Sequence, residues 1–167
     1  MAAASSPALH VRLVRASDRE RILAGIAALS PASLYLRFGR ASVPRALDLE
    51  WLERLDGRRA VAYGACDAAT GAPVGLARYV ADPFPEAEVA VTVVDAWQGR
   101  GVGSLLLRRL AAHAVGAGLE ALSASVLAAN APALALMRGL GAVPAGPVEL
   151  GVLQLRAALE QRATSPG

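Results

Sequence analysis

Residues 88–104 read EVAVTVVDAWQGRGVGS. The β-branched run over residues 89–94 predicts a buried strand, and the alternating glycines after it predict a tight turn into a helix that begins at Ser104. Glycines at such a turn let the backbone come close to a ligand, while the helix start aims N–H groups and about half a positive charge at one point. The stretch therefore predicts an anion pocket, for which a pyrophosphate is a typical occupant.

The segments on either side of this turn predict an α/β fold. Ser17 and Glu20 form a capping-box pattern at the start of the first helix. The predicted order β-α-α-β-β-β-α-β-α-β is typical of a three-layer sandwich, with a mixed central sheet of about six to seven strands flanked by helices. We expect strands over residues 9–14, 60–66, 74–80, 89–94 and 122–127, one or two more within 148–155, and helices over 17–29, 30–38, 44–55, 104–117 and 132–140.

Length and composition narrow the class of protein. The chain has 167 residues, so we expect one domain over residues 8–160, with residues 1–7 as a disordered lead and 161–167 as a disordered tail. Cys66 is the only cysteine, which excludes an intrachain disulfide and a Cys/His zinc site, and we expect no metal. No apolar run approaches the ~20 residues of a membrane helix, and the first residues lack a signal-peptide pattern. We therefore expect a cytoplasmic protein without a membrane partner.

The positive charge of the chain does not indicate a nucleic-acid partner. The formal net charge is +3, and all 17 basic residues are arginine. These arginines are scattered, and no basic tract with interleaved aromatic residues is present, as nucleic-acid binding would require. We therefore expect no nucleic-acid partner.

Two common kinds of phosphate site do not fit the glycine turn. A nucleotide-hydrolysing P-loop ends in Gly-Lys-Ser/Thr, and this chain contains no lysine. A dinucleotide site needs G-x-G-x-x-G and an acidic residue at the end of the next strand. Here the glycines alternate at positions 99, 101 and 103, and Glu120 precedes the next strand rather than following it.

The turn does resemble the signature loop of the GNAT N-acetyltransferase superfamily, whose pattern is Gln/Arg-x-x-Gly-x-Gly/Ala. Gln98, Gly101 and Gly103 form that pattern here. The segment from Asn130 to Gly141 is similar to the second cofactor segment of the superfamily. This resemblance implies the GNAT fold and acetyl-CoA as co-substrate.

A narrower resemblance concerns one branch of that superfamily. Residues 29–38, LSPASLYLRF, and residues 87–91, AEVAV, are similar to stretches of the bacterial Pat-type protein lysine acetyltransferases. Together the similar segments extend over about residues 9–155. The resemblance implies that the acceptor is the ε-amine of a protein lysine.

The superfamily resemblance also implies where acetyl-CoA binds. Its pyrophosphate is expected on the amides of the glycine turn, and its pantetheine arm along the edge of the strand that precedes the turn. From Val93 back to Glu88 is five residues, or ~17 Å at the rise of a strand, so the thioester is expected near Glu88. The expected cofactor-binding residues are Val91, Thr92, Val93, Gln98, Gly99, Arg100, Gly101, Val102, Gly103, Ser104 and Asn130.

Glu88 is the candidate catalytic residue. A lysine amine has a pKa near ~10.4, so obtaining the neutral form at pH 7 costs about 4.6 kcal/mol. A carboxylate can take that proton directly or through a water as the amine attacks the thioester. Glu88, Ala90 and Thr92 share one face of the strand, as the wall of a cleft requires. Glu86, two residues earlier on the same face, is the alternative base.

Other positions of the resemblance concern the leaving group and the acceptor. Many members of the superfamily have a tyrosine seven residues after the asparagine, as the acid that protonates the departing thiolate; here that residue is Met137, and no general acid can be named. Tyr35, Arg37 and Phe38 belong to the helix that borders the acceptor cleft in this family, and we expect them to bind substrate.

The sequence leaves three functions open. The first is acetyl transfer to a protein lysine, and the second is transfer to a small amine such as a polyamine, an amino acid or an aminoglycoside. The third is a non-catalytic module that binds acyl-CoA. The sequence is compatible with a monomer or a homodimer.

Overall fold

A mixed sheet of seven strands forms the centre of the structure. The computed structural model describes residues 8–38 and 46–160. The strands are β1 (Leu9–Leu13), β2 (Ala60–Asp67), β3 (Pro73–Val80), β4 (Glu86–Val93), β5 (Ala121–Leu127), β6 (Val143–Pro144) and β7 (Val152–Ala158). They lie in the order β1-β2-β3-β4-β5-β7-β6, with β4 and β5 parallel and every other neighbouring pair antiparallel.

Helices cover both faces of this sheet. They are α1 (Arg19–Ala27), α2 (Pro31–Phe38), α3 (Val102–Gly116) and α4 (Ala131–Gly139), with short 3-10 segments at Ala16–Asp18, Ala46–Arg54 and Asp95–Trp97. On one face, α3 buries Leu106, Leu107 and Leu110 against the sheet, at the spacing of an amphipathic helix. On the other face, α1, α2 and the Ala46–Arg54 segment form a second core, which includes Leu34 and Trp51.

The side chains of β3 alternate between the two faces of the sheet, so this strand contributes to both cores. Ala77 and Tyr79 are fully buried on the α3 side of the sheet. Leu76 packs in the second core, on the opposite face. Because successive residues of a strand point to opposite faces, Arg78 also lies on the α1 and α2 side.

The pairing of β4 with β5 is short. Only Glu86, Ala87 and Glu88 pair with β5, at Ala121, Leu122 and Ser123. The rest of β4 continues to pair with β3 as far as the pair of Val93 with Gly75. Beyond Glu88 the sheet is therefore open between two adjacent parallel strands.

The predicted fold class is confirmed, and three details of the predicted elements are wrong. β4 begins at Glu86 rather than residue 89, because its first residues pair with both neighbouring strands. The predicted Ser17–Glu20 capping box does not form; Asp18 instead accepts the Arg15 backbone N–H at 2.9 Å. The last strand covers Val152–Ala158, several residues later than predicted. The predictions for residues 1–7 and 161–167 lie outside the described residues.

Candidate active site

A groove opens where β4 and β5 separate. It has two sections of about 350 Å³ each, one at the glycine turn and one at Glu88. The two sections are continuous because they share lining residues from α2, β4 and α4. The shared residues are Leu36, Arg37, Val91, Asn130, Ala133 and Leu136.

The glycine turn forms one end of the groove. Gly99 and Gly101 have φ angles of 73° and 81°, in the left-handed region that favours glycine. A Cβ atom on either residue would have no neighbour within 4 Å, so backbone conformation rather than space requires glycine there. α3 begins directly afterwards at Val102, and no described side chain caps it. Its first N–H groups are therefore available to an anion, as the sequence predicts.

Gly103 has a different role from the two glycines before it. A Cβ atom on Gly103 would lie 3.0 Å from Leu136 Cδ1 on α4. Glycine at this position therefore lets α3 and α4 come close together at the groove wall. Val102 beside it is buried, while Ser104 is half-buried and lines the same section.

A hydrogen-bond network that the sequence analysis missed links this turn to α2. The Gln98 side chain donates to the Val93 carbonyl at 3.0 Å and to Ser33 Oγ at 3.2 Å. Asp95 accepts from the Ser30 backbone N–H at 2.9 Å, Ser30 Oγ at 2.8 Å and Ser33 Oγ at 3.0 Å. These hydrogen bonds hold the pKa of Asp95 below its usual value, and the bond from the Ser30 backbone makes the largest contribution. The start of α2 is therefore attached to the segment that leads into the glycine turn.

The open edge of β4 lies between the two ends of the groove. Val91, Thr92 and Val93 line its glycine-turn section. Because β5 pairs with β4 only as far as Glu88, the backbone groups on this edge can accept an extended ligand as an added strand. The structure thus brings together the predicted edge and the predicted turn.

Of the two candidate bases, only Glu88 reaches the groove. Glu88 is exposed and lines the end of the groove that lies away from the glycine turn. Glu86 is not a lining residue; it accepts a hydrogen bond from Arg156 Nε at 3.1 Å across the sheet. That ion pair lowers the pKa of Glu86, chiefly through the hydrogen bond. The geometry therefore favours Glu88.

The three predicted acceptor-side residues of α2 have different environments. Arg37 lines both sections of the groove, and its Nε donates to Thr92 Oγ1 at 3.0 Å. Burial lowers the pKa of Arg37 to about 10, and the nearby positive charge of Arg78 contributes to the same shift. Tyr35 is 52% exposed, and Phe38 packs against the second core. Only Arg37 lines the groove.

Arg78 is a groove residue that the sequence analysis did not identify. It lies opposite Ala90 in the pairing of β3 with β4, and its guanidinium carbon is 5.0 Å from the ring centre of Trp51. It lines the Glu88 section, and burial lowers its pKa while the charge of Glu88 opposes that shift. No local pattern marks this arginine, because its environment depends on the register between two strands.

Three other positions complete the description of the site. Asn130 lines both sections, and its side chain also caps α4 by accepting the Ala133 N–H at 3.2 Å. Met137 is buried and lines the Glu88 section, where it has no proton to donate. Arg100 is exposed and stacks over the ring of Trp97 at 5.3 Å, beside the groove lining rather than within it.

Neither a metal-binding cluster nor a membrane-spanning helix occurs in the part of the chain that the structure describes. Within residues 8–38 and 46–160, no group of three or more His, Cys, Asp or Glu side chains could hold a metal ion. Within the same ranges, no helix combines the length and the apolar character that crossing a bilayer demands.

Comparison with known proteins agrees with this geometry. Residues 26–142 match the acetyltransferase (GNAT) family. The acetyltransferase Pat of Mycolicibacterium smegmatis is 35% identical over 136 residues, which are 80% of this chain and 41% of that protein. This chain therefore spans less than half the length of that relative.

Two solved structures are similar to the fold. The GNAT domain of S. lividans PAT has 32% sequence identity and a TM-score of 0.79, over 90% of each chain. The protein yncA of Salmonella typhimurium, solved with its cofactor acetyl-CoA, has a TM-score of 0.73 over 95% of this chain and 98% of its own. At 20% identity, the second likeness concerns the fold alone.

The groove fits acetyl-CoA on three observations: an uncapped helix start for its phosphates, an open strand edge for its arm, and a carboxylate at the far end. The family match covers most of the chain and includes the glycine turn, the β4 edge and Glu88. The chain belongs to the acetyltransferase (GNAT) family.

Proposed function

We propose that this chain transfers an acetyl group from acetyl-CoA to lysine side chains of other proteins. The observation that carries the proposal is the single continuous groove, which runs from an anion site at the start of α3 to the exposed carboxylate of Glu88. An exposed carboxylate at a groove end can be reached by a side chain that projects from another protein. The similarity to proteins named Pat supports the same acceptor.

The binding residues divide into two groups in this proposal. The N–H groups of the glycine turn and of the first turn of α3 hold phosphate charge, since no described side chain competes for them. The β4 edge at Val91–Val93 holds the extended arm through backbone hydrogen bonds, and the same edge offers N–H groups to negative charge that develops during transfer. When bound, acetyl-CoA supplies the activated thioester.

Glu88 acts as the general base. The lysine amine is almost wholly protonated at pH 7, so it must lose a proton before it can attack, which costs about 4.6 kcal/mol from a pKa of ~10.4. Glu88 takes that proton directly or through a water, and its exposure lets the proton pass on to solvent.

Position 137 supplies no proton to the leaving group, because Met137 occupies it. A simple thiol has a pKa of ~8.5, so its thiolate is a weak enough base to leave without a protein acid. We therefore assign no side chain to this step, and water protonates the thiolate.

The charges along the Glu88 section disfavour polycationic acceptors such as polyamines and aminoglycosides. Arg37 and Arg78 line that section and balance the charges of Asp82 and Glu88, whereas Glu86 lies outside it and pairs with Arg156. Two nearby guanidinium groups repel a second or third ammonium group of an acceptor. A protein lysine brings one ammonium group, and we place the reaction in the cytoplasm, where acetyl-CoA and such proteins occur together.

The absence of lysine from the chain makes a direct experiment possible. Purified protein is incubated with acetyl-CoA and a cell lysate, with Glu88→Gln in parallel, and the products are probed for acetyl-lysine. The chain cannot label its own side chains at lysine, so each new band is a substrate. Discrete bands that are missing with Glu88→Gln support the proposal. A blank blot, together with release of free thiol in the presence of small amines, would overturn the protein acceptor.

A further inference from the structure

The Glu88 end of the groove contains two arginines around one small residue. Ala90 lies opposite Arg78 in the β3–β4 pairing, and Glu88 is the next residue on the same face of β4. Diagonal neighbours of this kind lie about 7–8 Å apart, within reach of long side chains. On the other side of Ala90, Thr92 accepts the hydrogen bond from Arg37 Nε at 3.0 Å.

Both guanidinium groups lie over aromatic rings. The guanidinium carbon of Arg37 lies 4.7 Å from the centre of the Phe38 ring, and that of Arg78 lies 5.0 Å from the centre of Trp51. Stacking on a ring fixes the plane of a guanidinium group and leaves its N–H edge available for a carboxylate. Both arginines also line the Glu88 section, where such donors are within reach of a bound ligand.

Among the residues that the structure describes, no carboxylate pairs closely with either of the two cations. Within residues 8–38 and 46–160, neither Arg37 nor Arg78 forms an ion pair at 4.0 Å or less. Glu88 is near enough to oppose the pKa lowering of both arginines, and Asp82 is the other carboxylate that lines the section. Partly buried cations without a close partner are costly, and an anionic ligand group offsets that cost.

The position of Arg78 distinguishes the acceptor from acetyl-CoA as the source of that anion. Within the groove, Arg78 lines the Glu88 section and not the glycine-turn section, and it also borders a mostly apolar cavity on the α1 and α2 side of the sheet. The phosphates belong to the turn, which lies beyond Val93, and Val93 is ~10 Å along β4 from Ala90, the partner of Arg78, at the rise of a strand. An anion that meets Arg78 inside the groove is therefore part of the molecule that receives the acetyl group.

We infer that Arg37 and Arg78 form a carboxylate-binding subsite beside Glu88, so that the preferred acceptor carries a carboxylate close to its amine. In its main form the carboxylate is an acidic side chain next to the target lysine, and that form rests on the proposed function. The α-carboxylate of a free amino acid has the same chemistry. The two cations also favour the neutral form of the bound amine, which is the form that attacks.

Capped peptides with one lysine test this inference. The residue next to the lysine is glutamate, glutamine or arginine, and each peptide is assayed for kcat/KM with the intact chain. Free L-lysine and other amino acids form a separate arm. Binding is measured independently of turnover, by calorimetry of the Nε-acetyl-lysine forms of the same peptides in the presence of CoA.

Three variants accompany the wild type. Arg78→Gln removes the positive charge, and Arg78→Lys keeps the charge but removes the planar guanidinium group. Arg59→Gln is the matched control, because Arg59 also stacks on an aromatic ring, 5.5 Å from the centre of Phe84, but does not line the groove. A charge-assisted contact predicts a preference of about tenfold or more for glutamate over glutamine in both kcat/KM and Kd. The preference falls with added salt, disappears in Arg78→Gln, survives in part in Arg78→Lys and is unchanged in Arg59→Gln.

The outcomes separate the inference from the proposed function. Equal acetylation and equal binding of the glutamate and glutamine peptides would overturn the carboxylate subsite while leaving protein lysine acetylation intact. Acetylation of free amino acids alone, lost in Arg78→Gln, would support the subsite and overturn the protein acceptor. Failure to acetylate any acceptor, with no charge preference in binding, would overturn both.

Discussion

Asp95 accepts the backbone N–H of Ser30 at 2.9 Å, which joins the start of α2 to the turn that carries the cofactor glycines. The Ser30 hydroxyl donates to the same carboxylate at 2.8 Å, and Ser33 Oγ donates at 3.0 Å. α2 carries Arg37, which lines both sections of the groove. One carboxylate thus fixes the acceptor-side helix relative to the cofactor site.

We expect Asp95→Ala to weaken both the cofactor site and the acceptor side of the groove. The change removes the acceptor of three hydrogen bonds, and the exposed position limits the loss of stability to about 1–2 kcal/mol. Because α2 loses its attachment, KM for acetyl-CoA should rise several-fold and kcat should fall. Urea unfolding and steady-state kinetics measure these effects, with the exposed Glu50→Gln as control. Wild-type KM and kcat in Asp95→Ala would show that the network does not position the groove.

Gly101→Ala tests the backbone conformation of the glycine turn. Gly101 has a φ of 81° and open space around its Cα, so the cost of a side chain comes from the left-handed conformation, about 1–2 kcal/mol. The strain distorts the N–H groups that bind phosphate, so acetyl-CoA binding should weaken about tenfold or more by calorimetry.

Gly116→Ala is the matched control for that substitution. Gly116 ends α3, has no neighbour within 4 Å of its Cβ position and does not have a positive φ. Alanine there should leave binding unchanged and stabilise the fold by up to about 1 kcal/mol. Equal acetyl-CoA affinity in Gly101→Ala and Gly116→Ala would contradict the role assigned to the turn.

The pairing of Asp18 with Arg12 predicts how stability changes in acid. Arg12 donates to the two carboxylate oxygens of Asp18 at 2.8 and 2.6 Å, which lowers the pKa of Asp18 to about 2. A carboxyl group whose pKa is lower in the folded state stabilises the fold above its unfolded pKa of about 3.9, and this stabilisation is lost as the pH falls toward 2.

We therefore expect Asp18→Asn to lower the free energy of unfolding at pH 7 by about 1 kcal/mol, after allowance for solvent screening. The difference from wild type should decrease between pH 4 and pH 2. Urea unfolding over that pH range measures it, with the exposed Glu53→Gln as control. A difference that stays constant down to pH 2 would show that the ion pair is not its source.

The glycine turn and its helix could be predicted from sequence because their requirements are local. Positive φ angles at Gly99 and Gly101, and an uncapped helix directly after them, follow from a short pattern. The sequence pattern places the start of β4 too late, because Glu86 and Glu88 have weak strand propensity and are held by pairing with distant strands.

The acceptor side of the site could be predicted only in part. Arg37 was a candidate through the resemblance of its helix, whereas Arg78 resembles any solvated residue of an alternating strand. Its place beside Glu88 follows from the β3–β4 register and from the ring of Trp51. The hydrogen bonds from Ser30 to Asp95 span 65 positions of the chain, a separation that no local pattern encodes.

The most direct test of the account compares Glu88→Gln with Glu86→Gln. Both substitutions remove one carboxylate from the same face of β4, but only Glu88 lines the groove. Release of free CoA is followed with a lysine peptide, and acetyl-CoA affinity is measured by calorimetry on the same preparations. The account predicts that Glu88→Gln lowers kcat by about 10²- to 10⁴-fold with unchanged acetyl-CoA affinity, while Glu86→Gln stays near wild type. Full turnover in Glu88→Gln, or an equal loss in both variants, would contradict the assignment of Glu88 as the general base.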